Sequence, residues 1–167
     1  MHLYLGVDGG GTGCRAAVAD AEGRVLGRGE AASANIWTDP EGARANILAA
    51  ARAALDAAGG GELTDLRAVL GLAGANLPEA VARFAEALPF ARTRIESDAL
   101  VALKGALGDE DGITAAIGTG SVFGLQRHGV LRMIGGWGFQ LGDQGSGARM
   151  GRALYEAALL AHDGMIA

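Results

Sequence analysis

Short apolar runs alternate with turn-forming residues over the first thirty positions of the chain. Residues 3–7 are apolar and end at an aspartate followed by three glycines, and further segments of strand length cover residues 15–19 and 24–29, on either side of a turn at residues 20–23. Runs of this length, separated by glycine and aspartate, are typical of short strands joined by tight turns. The pattern therefore predicts a meander of three antiparallel strands.

A helical pattern follows the meander. Thr38, Asp39 and Pro40 form a helix start signal, because a capping side chain is followed by proline at the first helical position. Apolar residues then recur at helical spacing, and they are Ala43, Ile47, Ala50, Ala51, Ala54 and Leu55.

Two strand–helix alternations come next. We predict strands at residues 67–72 and 93–97, and helices at residues 78–88 and 98–107. Three antiparallel strands followed by such alternations favour an α/β fold in which a mixed five-stranded sheet carries helices on its faces.

The opening pattern returns after a polar segment at residues 108–112. Three apolar runs occur at residues 113–117, 122–126 and 130–134. A final helix is predicted at residues 148–161. We therefore predict two domains, residues 1–110 and residues 111–167. A hairpin and one helix are too little to bury a sheet face, so we expect the remainder of the second lobe to be absent from this sequence.

Composition narrows the range of partners. The formal net charge is -5, and lysine and arginine form no cluster, so we expect neither a nucleic acid nor a membrane as a partner. The single cysteine, Cys14, excludes an internal disulfide and a cysteine-based metal cluster. The amino terminus has no signal-peptide pattern, so we expect a cytoplasmic location.

Two glycine turns are the strongest candidates for chemistry. They are Asp-Gly-Gly-Gly-Thr at residues 8–12 and Gly-Thr-Gly-Ser at residues 118–121. Such turns let successive backbone N–H groups converge on an anion. One turn alone is usually an ordinary hairpin turn, but each of these opens a three-stranded unit. Lys104, the only lysine, is not in a Walker A context, and a strand follows the first turn where a dinucleotide fingerprint requires a helix.

Six segments carry a more specific signal. They lie at residues 8–12, 33–37, 71–76, 97–99, 117–121 and 135–146. In these segments the chain resembles the acetate and sugar kinase, Hsp70 and actin superfamily, and within it the N-acetylglucosamine kinase and BadF/BadG-type ATPase family. The last segment, with Gly-Gly-Trp-Gly before Gly-Asp-Gln-Gly-Ser, is the most specific.

The resemblance implies a fold and an activity. The fold would be an RNase H-like, actin-like ATPase domain with the start of a second such lobe. The activity would be transfer of the γ-phosphoryl group of ATP to the 6-hydroxyl of N-acetylglucosamine, with Mg²⁺ as a cofactor. The substrate would be an amino sugar, and the resemblance leaves a homodimer open.

The resemblance also implies roles for individual residues. The phosphates would be bound by Gly9, Gly10, Gly11, Thr12, Gly118, Thr119, Gly120 and Ser121. Asp8 would orient Mg²⁺ through its water shell, and Asp98 would be the catalytic base for the sugar hydroxyl. The sugar would contact Asn35, Asn76, Gly136, Trp137 and Asp143.

Simpler interpretations compete with two of these assignments and with a role for Trp37 on a face of the sugar. Asp98 could be a plain helix N-cap, because it follows a predicted strand and starts a predicted helix. Asn76 precedes Pro78 and could be a helix-start residue. Trp37 is interpreted as core packing beside the first helix.

Alternative functions also remain. Gln144 stands where the family often has glutamate, which leaves the choice between a free amino and an acetylated amino sugar open. Glucosamine kinase is thus the nearest alternative, and a non-catalytic sugar sensor is an alternative of another class. Dehydratase activators of this family carry an iron–sulfur cluster on cysteines, which a lone Cys14 disfavours. The adenosine-binding motif of the family lies later in the chain, so we expect this fragment alone to bind ATP weakly.

Overall fold

The computed structural model describes residues 3–75 and 78–166. The chain divides into two compact units, Met1–Ala102 and Leu103–Ala167. The predicted domain boundary after residue 110 stays a prediction. Within the described residues, no helix combines the length and apolar character needed to cross a membrane.

The first unit contains a mixed five-stranded sheet. Its strands are β1 (Leu3–Gly9), β2 (Cys14–Ala19), β3 (Val25–Ala31), β4 (Leu66–Leu72) and β5 (Arg92–Ser97). Its helices are α1 (Pro40–Ala57), α2 (Pro78–Glu86) and α3 (Asp98–Leu107), the last of which crosses the unit boundary. The sheet order is β3-β2-β1-β4-β5. The first three strands pair antiparallel, as predicted, and β4 and β5 add in parallel to β1.

Helix α1 forms as its sequence predicts and packs closely on the sheet. The Asp39 carboxylate caps it by accepting a hydrogen bond from the Gly42 amide at 2.9 Å. The six apolar residues at helical spacing are the buried face. This face lies on Gly27 and Gly29 of β3, where an added Cβ would meet the α1 backbone at Ala54 and Ala50. Small residues on both surfaces therefore allow the helix and the sheet to approach closely.

Parallel pairing aligns one edge of the sheet. Gly9 is in register with Leu72, and Leu72 is in register with Ser97. The carboxyl ends of β1, β4 and β5 therefore meet at the same edge, which we call the carboxyl edge. The first glycine turn and the start of α3 both lie there.

The second unit is a smaller antiparallel meander. Its elements are β6 (Gly112–Ile117), β7 (Ser121–Arg127), β8 (Val130–Gly135), α4 (Gly138–Leu141) and α5 (Gly147–His162). The β7–β8 turn has positive φ at His128 (49°) and Gly129 (75°), as in a tight two-residue hairpin. The short helix α4 was not predicted, because glycines surround it. Helix α5 has no buried residue.

Candidate functional site

The first glycine turn is held by its carbonyl groups. The Gly9 carbonyl accepts a hydrogen bond from the Ala73 amide at 2.8 Å, and the Gly10 carbonyl accepts one from the Ala34 amide at 2.9 Å. In a planar trans peptide the N–H group points opposite to the C=O group. The Gly11 amide, which shares a peptide plane with the Gly10 carbonyl, therefore points away from the protein and is exposed.

Close packing sets the position of this turn. A Cβ added to Gly9 would lie 2.7 Å from Leu72 Cδ2 and 2.9 Å from the Cβ of Ala34. Only glycine allows this approach without a shift of the buried neighbours. By contrast, nothing lies within 4 Å of a Cβ added to Gly11. The turn is thus rigid at its base and open at its tip, where Gly11 and Thr12 are exposed.

The second glycine turn uses the same arrangement with a different support. The carbonyls of Gly118 and Thr119 accept hydrogen bonds from the Gly147 and Ala148 amides at 2.8 and 3.2 Å. These donors belong to the first turn of α5. By the same peptide geometry, the amides of Thr119 and Gly120 point away from α5.

An open cavity of about 620 Å³ lies over this second turn. It is lined by residues 115–122, Gly136 and Asp143. Its volume is in the range of small-molecule sites. The structure therefore places three of the predicted sugar and phosphate regions of the second unit around one space.

Asp143 and Ser121 bind each other across this cavity wall. Asp143 Oδ1 accepts a hydrogen bond from the Ser121 amide at 3.3 Å. The Ser121 hydroxyl is buried and donates to the Gln144 carbonyl at 2.9 Å. Asp143 adopts a left-handed backbone conformation, with φ of 57°, which is uncommon outside glycine, asparagine and aspartate. Both donors of Ser121 are thus engaged within the chain.

Asp98 lies at the carboxyl edge without serving as the helix cap. Ser97 caps α3, because its Oγ accepts a hydrogen bond from the Leu100 amide at 3.2 Å. Asp98 Oδ1 accepts one from the adjacent Ala99 amide at 2.8 Å. Two strand spacings separate β5 from β1, so the Cα atoms of Ser97 and Gly9 are about 10 Å apart. Ser97, and not Asp98, is therefore the N-cap of α3.

Asn35 also lies beside this edge, and its side chain shapes the loop before α1. Its Oδ1 accepts hydrogen bonds from the Trp37 and Thr38 amides at 3.0 and 3.2 Å. The neighbouring Ile36 amide donates to the Ala73 carbonyl at 3.0 Å. Trp37 is 65% exposed, so its interpretation as a core residue was wrong. The turn with Asn35 directs the chain outward before the helix begins. Asn76 lies outside the described residues.

Asp8 offers a carboxylate close to the first turn. It is exposed at the end of β1, opposite Arg15 of β2. Burial raises the pKa of the neighbouring Cys14 thiol to about 11, and the Asp8 charge adds to this effect. Among the described residues, no group of three or more histidine, cysteine or acidic side chains could hold a metal ion. A lone exposed carboxylate fits Mg²⁺, which usually keeps several waters and binds through one or two carboxylates and substrate phosphates.

The glycine-rich segment before α5 exposes the second tryptophan. The Gly136 amide donates to the Ser121 carbonyl at 3.1 Å. Trp137 is 78% exposed at the start of α4. Sequence reasoning missed the support of α4, in which Arg149 Nη1 donates to the Phe139 carbonyl at 3.3 Å and Arg152 lies 5.7 Å from the Phe139 ring centroid. The sequence could not predict these contacts, because the separations of Arg149 and Arg152 from Phe139 match no helical or strand period. The contacts follow only once α5 is known to fold back towards α4.

Known proteins are similar to most or all of this chain. A glucosamine kinase of Vibrio cholerae is 38% identical over 168 residues, which cover 99% of this chain and 57% of that protein. A crystal structure of a Chromobacterium violaceum protein, provisionally named N-acetylglucosamine kinase, has a TM-score of 0.86 at 31% identity, covering 99% of this chain and 59% of that one. A ROK family glucokinase from Streptomyces griseus, solved with glucose and AMPPNP, has a TM-score of 0.52 at 26% identity, covering 78% of this chain and 46% of its own.

These similarities define the class as an actin-like α/β domain of the kind found in sugar kinases, which confirms the predicted fold class. The chain belongs to the BadF/BadG/BcrA/BcrD ATPase family, whose sequence profile matches residues 5–167. It spans somewhat less than three fifths of the length of the Vibrio and Chromobacterium proteins.

Proposed function

We propose that the protein is an ATP-dependent amino-sugar kinase that phosphorylates the 6-hydroxyl of N-acetylglucosamine. The observation that supports this most is the pair of glycine turns with anchored carbonyls, in which the amide of Gly11 and those of Thr119 and Gly120 point outward. Phosphoryl transfer depends mainly on positioning and on neutralising charge, and outward amides supply both. Kinase relatives that match almost the whole chain support the same activity.

The phosphates would be held without a lysine. The Lys104 ammonium already contacts the Gly108 carbonyl at 2.8 Å and Asp109 at 3.1 Å. Outward amides of the two turns and the hydroxyls of Thr12 and Thr119 would take its place as donors. When bound, Mg²⁺ would neutralise phosphate charge, and Asp8 is the residue of the first turn that would hold its waters.

Asp98 would accept the proton of the sugar 6-hydroxyl as that oxygen attacks the γ-phosphorus. Its Oδ2 makes no hydrogen bond with the described residues, so one oxygen is available for the proton. A spacing of about 10 Å between its strand end and the first turn leaves room for a phosphoryl group and a hydroxymethyl group. A base in this role contributes about 10²–10⁴-fold in rate.

The sugar would bind through polar edges and one exposed face. Asn35, whose oxygen is used within its own loop, has an amide nitrogen to offer a hydroxyl. The exposed Trp137 indole would cover an apolar face of the ring. The 38% identity to a glucosamine kinase favours glucosamine as a second candidate substrate. A cytoplasmic location is part of the proposal, since the reaction consumes ATP.

The test is ADP release by the full-length gene product with ATP and Mg²⁺ against a sugar panel. We expect turnover with N-acetylglucosamine or glucosamine and little with glucose. Asp98→Asn should lower kcat by about 10²-fold or more while sugar affinity is largely kept.

The matched control is Asp65→Asn, because Asp65 is exposed and precedes β4 at the opposite edge of the same sheet. That variant should keep full activity. Sugar binding without turnover in the unaltered protein would instead indicate a sugar sensor and contradict the kinase proposal.

A further inference from the structure

The Asp143 carboxylate lies where the second glycine turn would receive a phosphate. It lines the 620 Å³ cavity together with that turn. Its Oδ1 accepts the Ser121 amide at 3.3 Å, and its Oδ2 lies 3.1 Å from the position of a Cβ added to Gly120. A negative oxygen therefore already occupies one amide donor of the turn, immediately beside the outward amides of Thr119 and Gly120.

The surroundings do not neutralise this charge. No basic side chain lies within salt-bridge distance of Asp143 among the described residues. A carboxylate in this open cavity repels a second anion in the same space. The hydrogen bond from the Ser121 amide holds the carboxylate in this position.

We propose that Asp143 is a positioning residue that occupies the second phosphate turn until a sugar hydroxyl engages its carboxylate. This inference rests on the proposed function, because it assumes a polyphosphate at the second turn. A sugar hydroxyl donating to Asp143 would release the Ser121 amide and draw the charge out of the turn. Sugar binding would thereby raise the affinity for the nucleotide, and the nucleotide would raise the affinity for the sugar by the same factor.

Two variants separate the charge of Asp143 from its structural role. Asp143→Asn keeps an oxygen acceptor for Ser121 and removes the charge, and asparagine tolerates the left-handed backbone. Asp143→Gly removes both the charge and the acceptor at a position that glycine also accepts. Asp109→Asn is the control, since Asp109 is a fully exposed carboxylate of the same unit, paired with Lys104.

The readout is binding of AMPPNP with Mg²⁺ to the full-length protein by calorimetry, with and without saturating N-acetylglucosamine or glucosamine. In the unaltered protein we expect sugar to tighten AMPPNP binding. Without sugar, Asp143→Asn should bind AMPPNP about tenfold tighter than the unaltered protein, the effect of removing one partly screened charge beside a polyanion. Added sugar should then change the affinity of this variant little.

A charge effect and a purely structural effect give different patterns. If Asp143 only supports the turn, Asp143→Asn will bind AMPPNP as the unaltered protein does and Asp143→Gly will bind it more weakly, which overturns the proposal. The proposal is also overturned if no variant binds AMPPNP, because the turn would then not be a phosphate site. The proposal is supported if both Asp143 variants bind AMPPNP more tightly than the unaltered protein, with or without sugar, while Asp109→Asn binds it as the unaltered protein does. Turnover of the unaltered protein is scored separately, so the kinase proposal can stand when this one fails.

Discussion

The glycine turns of the two units have the same arrangement, but they are supported by different kinds of structure. All buried hydrophobic side chains of the described core except Leu103 belong to the first unit. Three of the four buried polar side chains, Ser121, Gln126 and Ser146, belong to the second. In the first unit the turn carbonyls bind loop amides above a close-packed sheet, whereas in the second they bind the amino terminus of an exposed helix.

In both units the outward amides therefore follow carbonyls that are held by hydrogen bonds, although different parts of the chain supply the donors. Close packing anchors the first turn, so added volume should damage it. Hydrogen bonds anchor the second, so loss of polar atoms should damage it. Ser121 illustrates the second case, since its buried hydroxyl donates to the Gln144 carbonyl at 2.9 Å.

The largest effect on the free energy of unfolding is expected when a glycine of the first unit is replaced by a larger residue. Gly27→Ala should lower the free energy of unfolding by about 2–3 kcal/mol, because its Cβ would meet the α1 backbone. Gly124→Ala in the second unit would meet only side-chain atoms of Thr114 and Leu103 at 2.9–3.1 Å, so it should cost less than about 1 kcal/mol. Gly6→Ala, with nothing within 4 Å, is the neutral control. Urea denaturation followed by circular dichroism measures all three, and equal costs at Gly27 and Gly124 would break the comparison.

A binding effect without a stability effect is expected at the tip of the first turn. An alanine at Gly11 has open space around it, so Gly11→Ala should leave the urea midpoint unchanged. Its methyl group would stand where a phosphate approaches the amide, so AMPPNP affinity should fall about tenfold. Unchanged AMPPNP binding in this variant would argue against a phosphate at the first turn.

Periodic sequence patterns predicted the elements with regularly spaced apolar residues. They could not predict features that depend on contacts between residues far apart in the sequence. The buried face of α1 was predicted residue by residue, because six apolar positions at one period leave a single way to face a sheet. The exposure of Trp37 depends on a hydrogen-bonded turn with Asn35, which no periodic pattern in the sequence could predict. Likewise, the contact of Asp143 with Ser121 joins residues 22 positions apart. The roles of the predicted site residues remain predictions, since placement at one edge or cavity does not show which groups a substrate contacts.

A smaller effect is expected from the cap of α5. Ser146 is fully buried, and its Oγ accepts a hydrogen bond from the Arg149 amide at 3.3 Å. Ser146→Ala should cost about 1 kcal/mol and loosen the amides that hold the second turn, whereas Ser146→Gly should cost only a few tenths. Thermal melts compare the two variants. A larger loss for glycine than for alanine would contradict the capping role.

The smallest effect concerns a buried carboxylate of the first unit. Asp20 is buried in the β2–β3 turn. Burial opposes its ionisation, but hydrogen bonds from the Arg24 and Glu22 amides and the Arg24 charge outweigh this and hold the pKa of Asp20 below its usual 3.8. The stabilisation is therefore complete above that value and is lost as pH falls through the lower folded pKa. Acid unfolding of Asp20→Asn should lack this component, and an identical acid transition in both proteins would contradict it.

The most direct test of the account is a nuclear magnetic resonance titration of the backbone amides with AMPPNP and Mg²⁺. We predict that the Gly11, Thr119 and Gly120 amide protons shift downfield together as they bind phosphate oxygens, while the Gly10 amide, already bonded to the Gly13 carbonyl at 2.9 Å, shifts little. Shifts confined to other parts of the chain would contradict the claim that the two anchored turns bind the phosphates.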